Sequence, residues 1–173
     1  MIGIKKKYTY DAFGLNILSE LPLPELNCLV SSGDHIDVSI KLSKDKIELE
    51  QKKGFTVLSH YVAFKVPNLA VFSIKSGKEI AVEPLKDFDE AKARLYVLGT
   101  CMGVILMQQQ TLPLHGSAIA IDGRAYAIVG NSGAGKSTLA SAFIQKGYKL
   151  ISDDVIPVTF SNDRTPMVQP TYP

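Results

Sequence analysis

Apolar and polar residues alternate along much of the first half of the chain. In "DVSIKL" (37–42), Val38, Ile40 and Leu42 share one face, the period of a half-buried strand. "AVFSIKSGKEIAVEPL" (70–85) is two such runs around Ser76-Gly77-Lys78 and predicts a hairpin. "LPLPEL" (21–26) places prolines at alternate positions, which suits an extended edge or connection and not a helix. From about residue 87 the period changes. Ala91, Leu95, Leu98, Met102, Ile105 and Leu106 recur at helical spacing, and Asp87 with Glu90 can form an N-terminal capping box. A long helix is therefore predicted over roughly 87–110, ended by Pro113.

The alternation returns in "LHGSAIAIDGRAYAIVG" (114–130), two apolar strands about Asp122-Gly123, a strong type I′ hairpin signal. "KSTLASAFIQKG" (136–147) reads as a helix, with Leu139, Phe143 and Ile144 on one side and Gly147 as its stop. "YKLIS" (148–152) is the next strand, with Asp153 and Asp154 at its end, and the proline-rich remainder offers one short strand. The expected fold class is α/β: a P-loop nucleotide-binding core over 111–173, preceded by a strand-rich region and long helix over 1–110. Such a core normally has about five parallel strands, and only two are legible, so the domain is expected to be incomplete at its C-terminus.

Composition narrows the class. The 173 residues are 46% hydrophobic and 21% charged, which suits a packed chain and not a disordered one. Nineteen basic against seventeen acidic side chains leave a net charge of +2, so neither nucleic acid nor a membrane surface is an expected partner. The run Lys5-Lys6-Lys7 reads as a solvated strand edge. Cys28 and Cys101 lack metal-ligand spacing and read as free thiols. The most apolar run, "LYVLGTCMGVILM" (95–107), has thirteen residues, too few to span a bilayer as a helix. No signal-peptide core opens the chain. A soluble, cytoplasmic protein is expected, and a homo-oligomer is compatible with the sequence.

The chemistry-bearing stretch is "GNSGAGKST" (130–138). Gly130, Gly135, Lys136 and Ser137 match every fixed position of the Walker A pattern, which makes Asn131, Ser132, Gly133, Ala134 and Thr138 part of the predicted nucleotide loop. Glycines let successive N–H groups turn inward on phosphates, and the following helix aims its positive end at the same place. Lys136 adds a full charge and the Ser137 hydroxyl can ligate Mg²⁺. A dinucleotide fingerprint fits less well, because the order of glycines differs from G-x-G-x-x-G. An acid on the strand after the loop could hold Mg²⁺ or accept a proton from an attacking hydroxyl, if that strand lies beside the loop strand. Adjacent acids on a strand point to opposite faces, so one of Asp153 and Asp154 is expected to face the site and the other away. Judged alone, His115 reads as a structural residue near an apolar strand, as do His35 and His60 in their own contexts. Ser117 with His115 lacks the context of a hydrolase triad.

Taken together, His115-Gly116, Gly130–Ser137, Lys146-Gly147-Tyr148-Lys149-Leu150 and Asp153-Asp154 resemble the catalytic domain of HPr kinase/phosphorylase, over roughly residues 112–158. The resemblance implies an ATP-dependent serine kinase acting on a protein or peptide. It implies Lys136 as the phosphate-binding catalytic lysine, Ser137 as an Mg²⁺ ligand, Asp154 as the base and His115 as an active-site neighbour. Thr138 departs from the family, which usually has Glu there, and the family's later acidic ligand and basic loop would fall beyond Pro173. "YDAFGLNILSELPLPEL" is similar to the start of kinase homologues found with lasso-peptide biosynthesis, which points to a peptide acceptor. The competing expectation is a P-loop module, truncated or regulatory, that binds or hydrolyses nucleotide without transfer.

Overall fold

The computed structural model describes residues 6–29, 35–49 and 54–171. Lys5 of the basic run lies outside them. The chain divides into two compact units, the second comprising Ala12–Gly14 with Gln110–Pro173.

The first unit is built on seven strands: β1 (Tyr8–Ala12), β2 (Leu15–Ser19), β3 (Val38–Leu42), β4 (Phe55–Leu58), β5 (Tyr61–Val66), β6 (Ala70–Lys75) and β7 (Glu79–Pro84). They form one sheet in the order β1-β2-β3-β7-β6-β5-β4, parallel at β2–β3 and β3–β7 and antiparallel from β7 to β4. Val38, Ile40, Phe72, Ile74, Ile80 and Val82 are fully buried, so the predicted alternation is the core face. The hairpin at 76–78 is present. Ser76 and Gly77 both take positive φ, and the Lys78 N–H donates to the Lys75 carbonyl.

The predicted long helix differs in detail. It comprises α1 (Glu90–Tyr96), a π-helical turn (Val97–Cys101) and α2 (Met102–Gln108). Asp89, not Asp87, is the N-cap; its carboxylate accepts the Lys92 N–H at 2.9 Å. The π turn widens the repeat, so the buried face runs through Ala93, Val97, Cys101, Met102, Ile105 and Leu106. Ala91 and Leu95, expected on that face, are exposed. At the end of α2, Gln108 accepts the Gly77 N–H and Gln109 donates to the Gly77 carbonyl, each at 2.7 Å, which ties the helix to the β6–β7 turn.

In the second unit, β8 (Leu112–Ile121) is the organising strand. With β9 (Arg124–Val129) it forms the expected hairpin, Asp122 at φ 48° and Gly123 at φ 73°. Helix α3 (Lys136–Gln145) follows, then β10 (Lys149–Ser152), β11 (Val155–Phe160) and β12 (Pro166–Val168), so the tail carries two strands and not one. β9, β10 and β11 each pair antiparallel with β8, and β12 pairs with β11. β10 therefore does not lie beside the loop strand β9: the two run in the same direction with β8 between them. Ala118, Ile156 and Val158 form the core here, with Leu114, Ile151 and Val168 packed against it. Helix α3 rests on Ala140, while Leu139 and Ile144, expected to be inward, are 48% and 45% exposed. Phe143, expected on the same side, is part-buried and meets the Tyr148 ring edge-on at 5.5 Å between centroids.

Candidate functional site

β9 delivers the chain into the glycine loop, and the loop ends in α3. Gly133 and Gly135 stand at φ 80° and 83°. A Cβ at either would meet no neighbour within 4 Å, so the backbone conformation, and not space, calls for glycine there. Gly135 caps α3 in the left-handed region. Lys136 bends back over the loop, its Nζ donating to the carbonyls of Gly130 and Asn131 at 3.0 and 3.1 Å. The ammonium is thereby held at the mouth of the N–H-rich turn, where phosphate oxygens are bound in loops of this kind.

The opposite wall comes from β8 and the β10–β11 junction. Gly116 allows the two walls to approach: a Cβ there would lie 2.2 Å from the Ile128 carbonyl oxygen on β9. After Ser152 the strand geometry breaks. The Val155 N–H donates to the Asp153 carbonyl at 2.8 Å, across an Asp154 held at φ 63°. This is a three-residue γ-type turn in its rare, strained positive-φ form. Its carbonyl at Asp154 accepts the Gly116 N–H at 3.3 Å and lies 3.0 Å from His115 Nδ1. Asp153 is held differently, its Oδ1 accepting the Ser117 hydroxyl at 2.6 Å. Behind the turn, buried Thr171 donates to Ser152 Oγ at 2.7 Å, and Ser152 donates to the Val155 carbonyl at 2.5 Å.

The turn overrides the alternation expected of a strand. Asp153 and Asp154 both line the same cavity of about 350 Å³, with His115, Gly116, Ser117, Ser132, Gly133, Gly135, Lys136, Ser137 and Thr138. Of the predicted loop residues, Gly130, Asn131 and Ala134 are not in that lining. His35 pairs with Asp37 at 3.0 Å, and neither His35 nor His60 lines this cavity. Ser117 was not among the expected functional residues. Its signal was the register of β8 against the acids, which a single sequence does not show.

The oxygen donors suit a hard divalent cation: the Ser137 hydroxyl and two carboxylates. Among the described residues no three His, Cys, Asp or Glu cluster as a protein-only metal cage. That donor set matches a cation shared with nucleotide phosphates. No helix among the described residues is long and apolar enough to cross a membrane.

Residues 106–171 match the family model of the HPr Serine kinase C-terminal domain. The chain is 40% identical to the HPr kinase/phosphorylase of Mycoplasmopsis pulmonis over 70 residues, 39% of this chain and 23% of that protein. It is 29% identical to the HPr kinase/phosphorylase of Lactobacillus gasseri over 108 residues, 57% of this chain and 34% of that protein. With that of Lachnoclostridium phytofermentans it shares 23% identity over 124 residues, 68% of this chain and 40% of the relative. The chain thus spans well under half the length of the curated relatives it matches. No solved structure matches it. These findings support an HPr kinase-like family, and the mixed α/β architecture is consistent with the family's C-terminal domain.

Proposed function

We propose that this chain transfers the γ-phosphoryl group of ATP to a serine hydroxyl of a protein or peptide. One observation carries the reading. His115 of β8, Lys136 and Ser137 of α3, and Asp153 and Asp154 of the β10–β11 junction come from three separate elements, yet they line a single cavity against a Walker A loop. The relatives' names supply the reaction class, and HPr is their printed substrate.

The loop N–H groups and Lys136 hold the phosphates. The acceptor oxygen attacks the γ-phosphorus, the bond to the bridging oxygen breaks, and ADP leaves. The hydroxyl proton passes to the Asp154 carboxylate. Charge spreading over the transferred group is stabilised by Lys136 and the loop amides, which are in place beforehand. Ser137 and Asp153 are the residues that would hold Mg²⁺, which supplies charge neutralisation when bound.

The test is Asp154→Asn, assayed with labelled ATP and candidate serine peptides. Asn tolerates positive φ better than most residues, so the turn should survive. Phosphoserine formation should be abolished while nucleotide binding persists. Transfer at the wild-type rate would sink the assigned role. A wild-type chain that binds or hydrolyses ATP without labelling any acceptor would favour the non-transferring module.

A further inference from the structure

We propose that Ser117 is a positioning residue: it orients the Asp153 carboxylate toward the cation that accompanies the nucleotide. This rests on the assignment of Asp153 as a cation ligand in the reading above.

Strand register places the pair. Ser152 stands opposite Ala118 and Val155 opposite His115. Two residues remain on each strand between these pairs, so Asp153 lies opposite Ser117 and Asp154 opposite Gly116. Directly opposed side chains on one face of an antiparallel pair are within reach of each other. The contact is made, Ser117 Oγ donating to Asp153 Oδ1 at 2.6 Å.

The two partners differ in freedom. Ser117 is 1% exposed, in the middle of a strand paired on both sides. Asp153 sits outside regular structure, at the first position of the strained turn, and is only half-buried. Its backbone is not held by a strand ladder, so the serine hydroxyl is what fixes its side chain. Ser117 is also the one polar side chain in "GSAI" (116–119), a stretch that is otherwise glycine and fully buried apolar residues. A hydroxyl there without a partner would be costly, and its partner is this carboxylate. With Oδ1 engaged, Oδ2 is the oxygen left for a ligand. Oxygen ligands are commonly oriented by such a supporting hydrogen bond, and losing one weakens metal binding about 10- to 100-fold.

The experiment measures Mn²⁺ affinity in the ADP complex of the full chain by electron paramagnetic resonance, with no acceptor and no turnover. Ser117→Ala and Asp153→Asn should each weaken Mn²⁺ by about tenfold or more. The double variant should be no weaker than Asp153→Asn alone. Ser117→Thr, which keeps the hydroxyl, should restore binding, and metal-free ADP affinity should be unchanged throughout. In a transfer assay, Ser117→Ala should lower kcat while leaving KM for the peptide unchanged.

Wild-type Mn²⁺ affinity in Ser117→Ala overturns the proposal, as do losses that multiply in the double variant. Loss of metal-free ADP affinity in Ser117→Ala also overturns it, since the serine would then be structural. A wild-type chain that binds Mn²⁺ and ADP but labels no acceptor defeats the transferase reading and leaves this one standing. A chain that binds no Mn²⁺ with ADP defeats both.

Discussion

His115 Nδ1 lies 3.0 Å from the carbonyl oxygen of Asp154, the residue at the centre of the strained turn. As donor, the ring ties down the backbone that carries the proposed base. His115→Ala should therefore lower kcat about two- to tenfold, the size of one net hydrogen bond, with ATP affinity unchanged. Steady-state kinetics at saturating ATP checks this. A loss of about a hundredfold or more would instead give His115 a direct part in proton transfer.

Among the described residues, the Lys136 ammonium donates to two carbonyls of its own exposed loop, those of Gly130 and Asn131. Lys136→Ala should leave thermal stability nearly unchanged. It should weaken ATP by roughly ten- to a hundredfold, since a hydrogen bond to a charged group contributes about 1.5–3 kcal/mol. Titration with a fluorescent ATP analogue, beside a melting curve, separates the two effects.

Gly116 has no room for a methyl group, because the Ile128 carbonyl oxygen would lie 2.2 Å from it. Gly116→Ala must part β8 from β9 and should destabilise the second unit by about 1–3 kcal/mol. Gly99→Ala is the control: a Cβ there meets nothing within 4 Å. Urea denaturation of the two variants should show a lowered midpoint for the first alone.

Cys28 is exposed and Cys101 fully buried. Burial pushes the Cys101 thiol well above its usual range, which suppresses the thiolate that reacts. A thiol reagent at pH 8 should modify one cysteine in the native chain and both after denaturation. Two fast equivalents in the native chain would show that α2 and its π turn open readily.

The glycine loop was legible because its residue types are dictated by contacts close in sequence. The hairpins about Ser76-Gly77 and Asp122-Gly123 were legible for the same reason. What was missed depends on long-range or cooperative geometry. Periodicity assumed one uniform helix, and the π turn at Val97–Cys101 moved Ala91 and Leu95 off the buried face. Strand alternation assigned Asp153 and Asp154 to opposite sides, and the positive φ at Asp154 brought both to one cavity. The contact between Ser117 and Asp153 follows from register across 36 residues, which no local pattern encodes.

β8 pairs with β9, β10 and β11, and this has a consequence for assembly in time. The β8–β9 hairpin closes over a two-residue turn, a fast local event. His115 and Asp154, by contrast, are 39 residues apart and meet only when β11 has docked on the far half of β8. Closing that long loop comes at an entropic cost that must be met before its contacts form. During synthesis the phosphate loop would emerge, and could curl, before its acidic wall existed. Nucleotide–cation binding would then report the docking of β11 on β8, and would follow closure of the β8–β9 hairpin in a refolding trace.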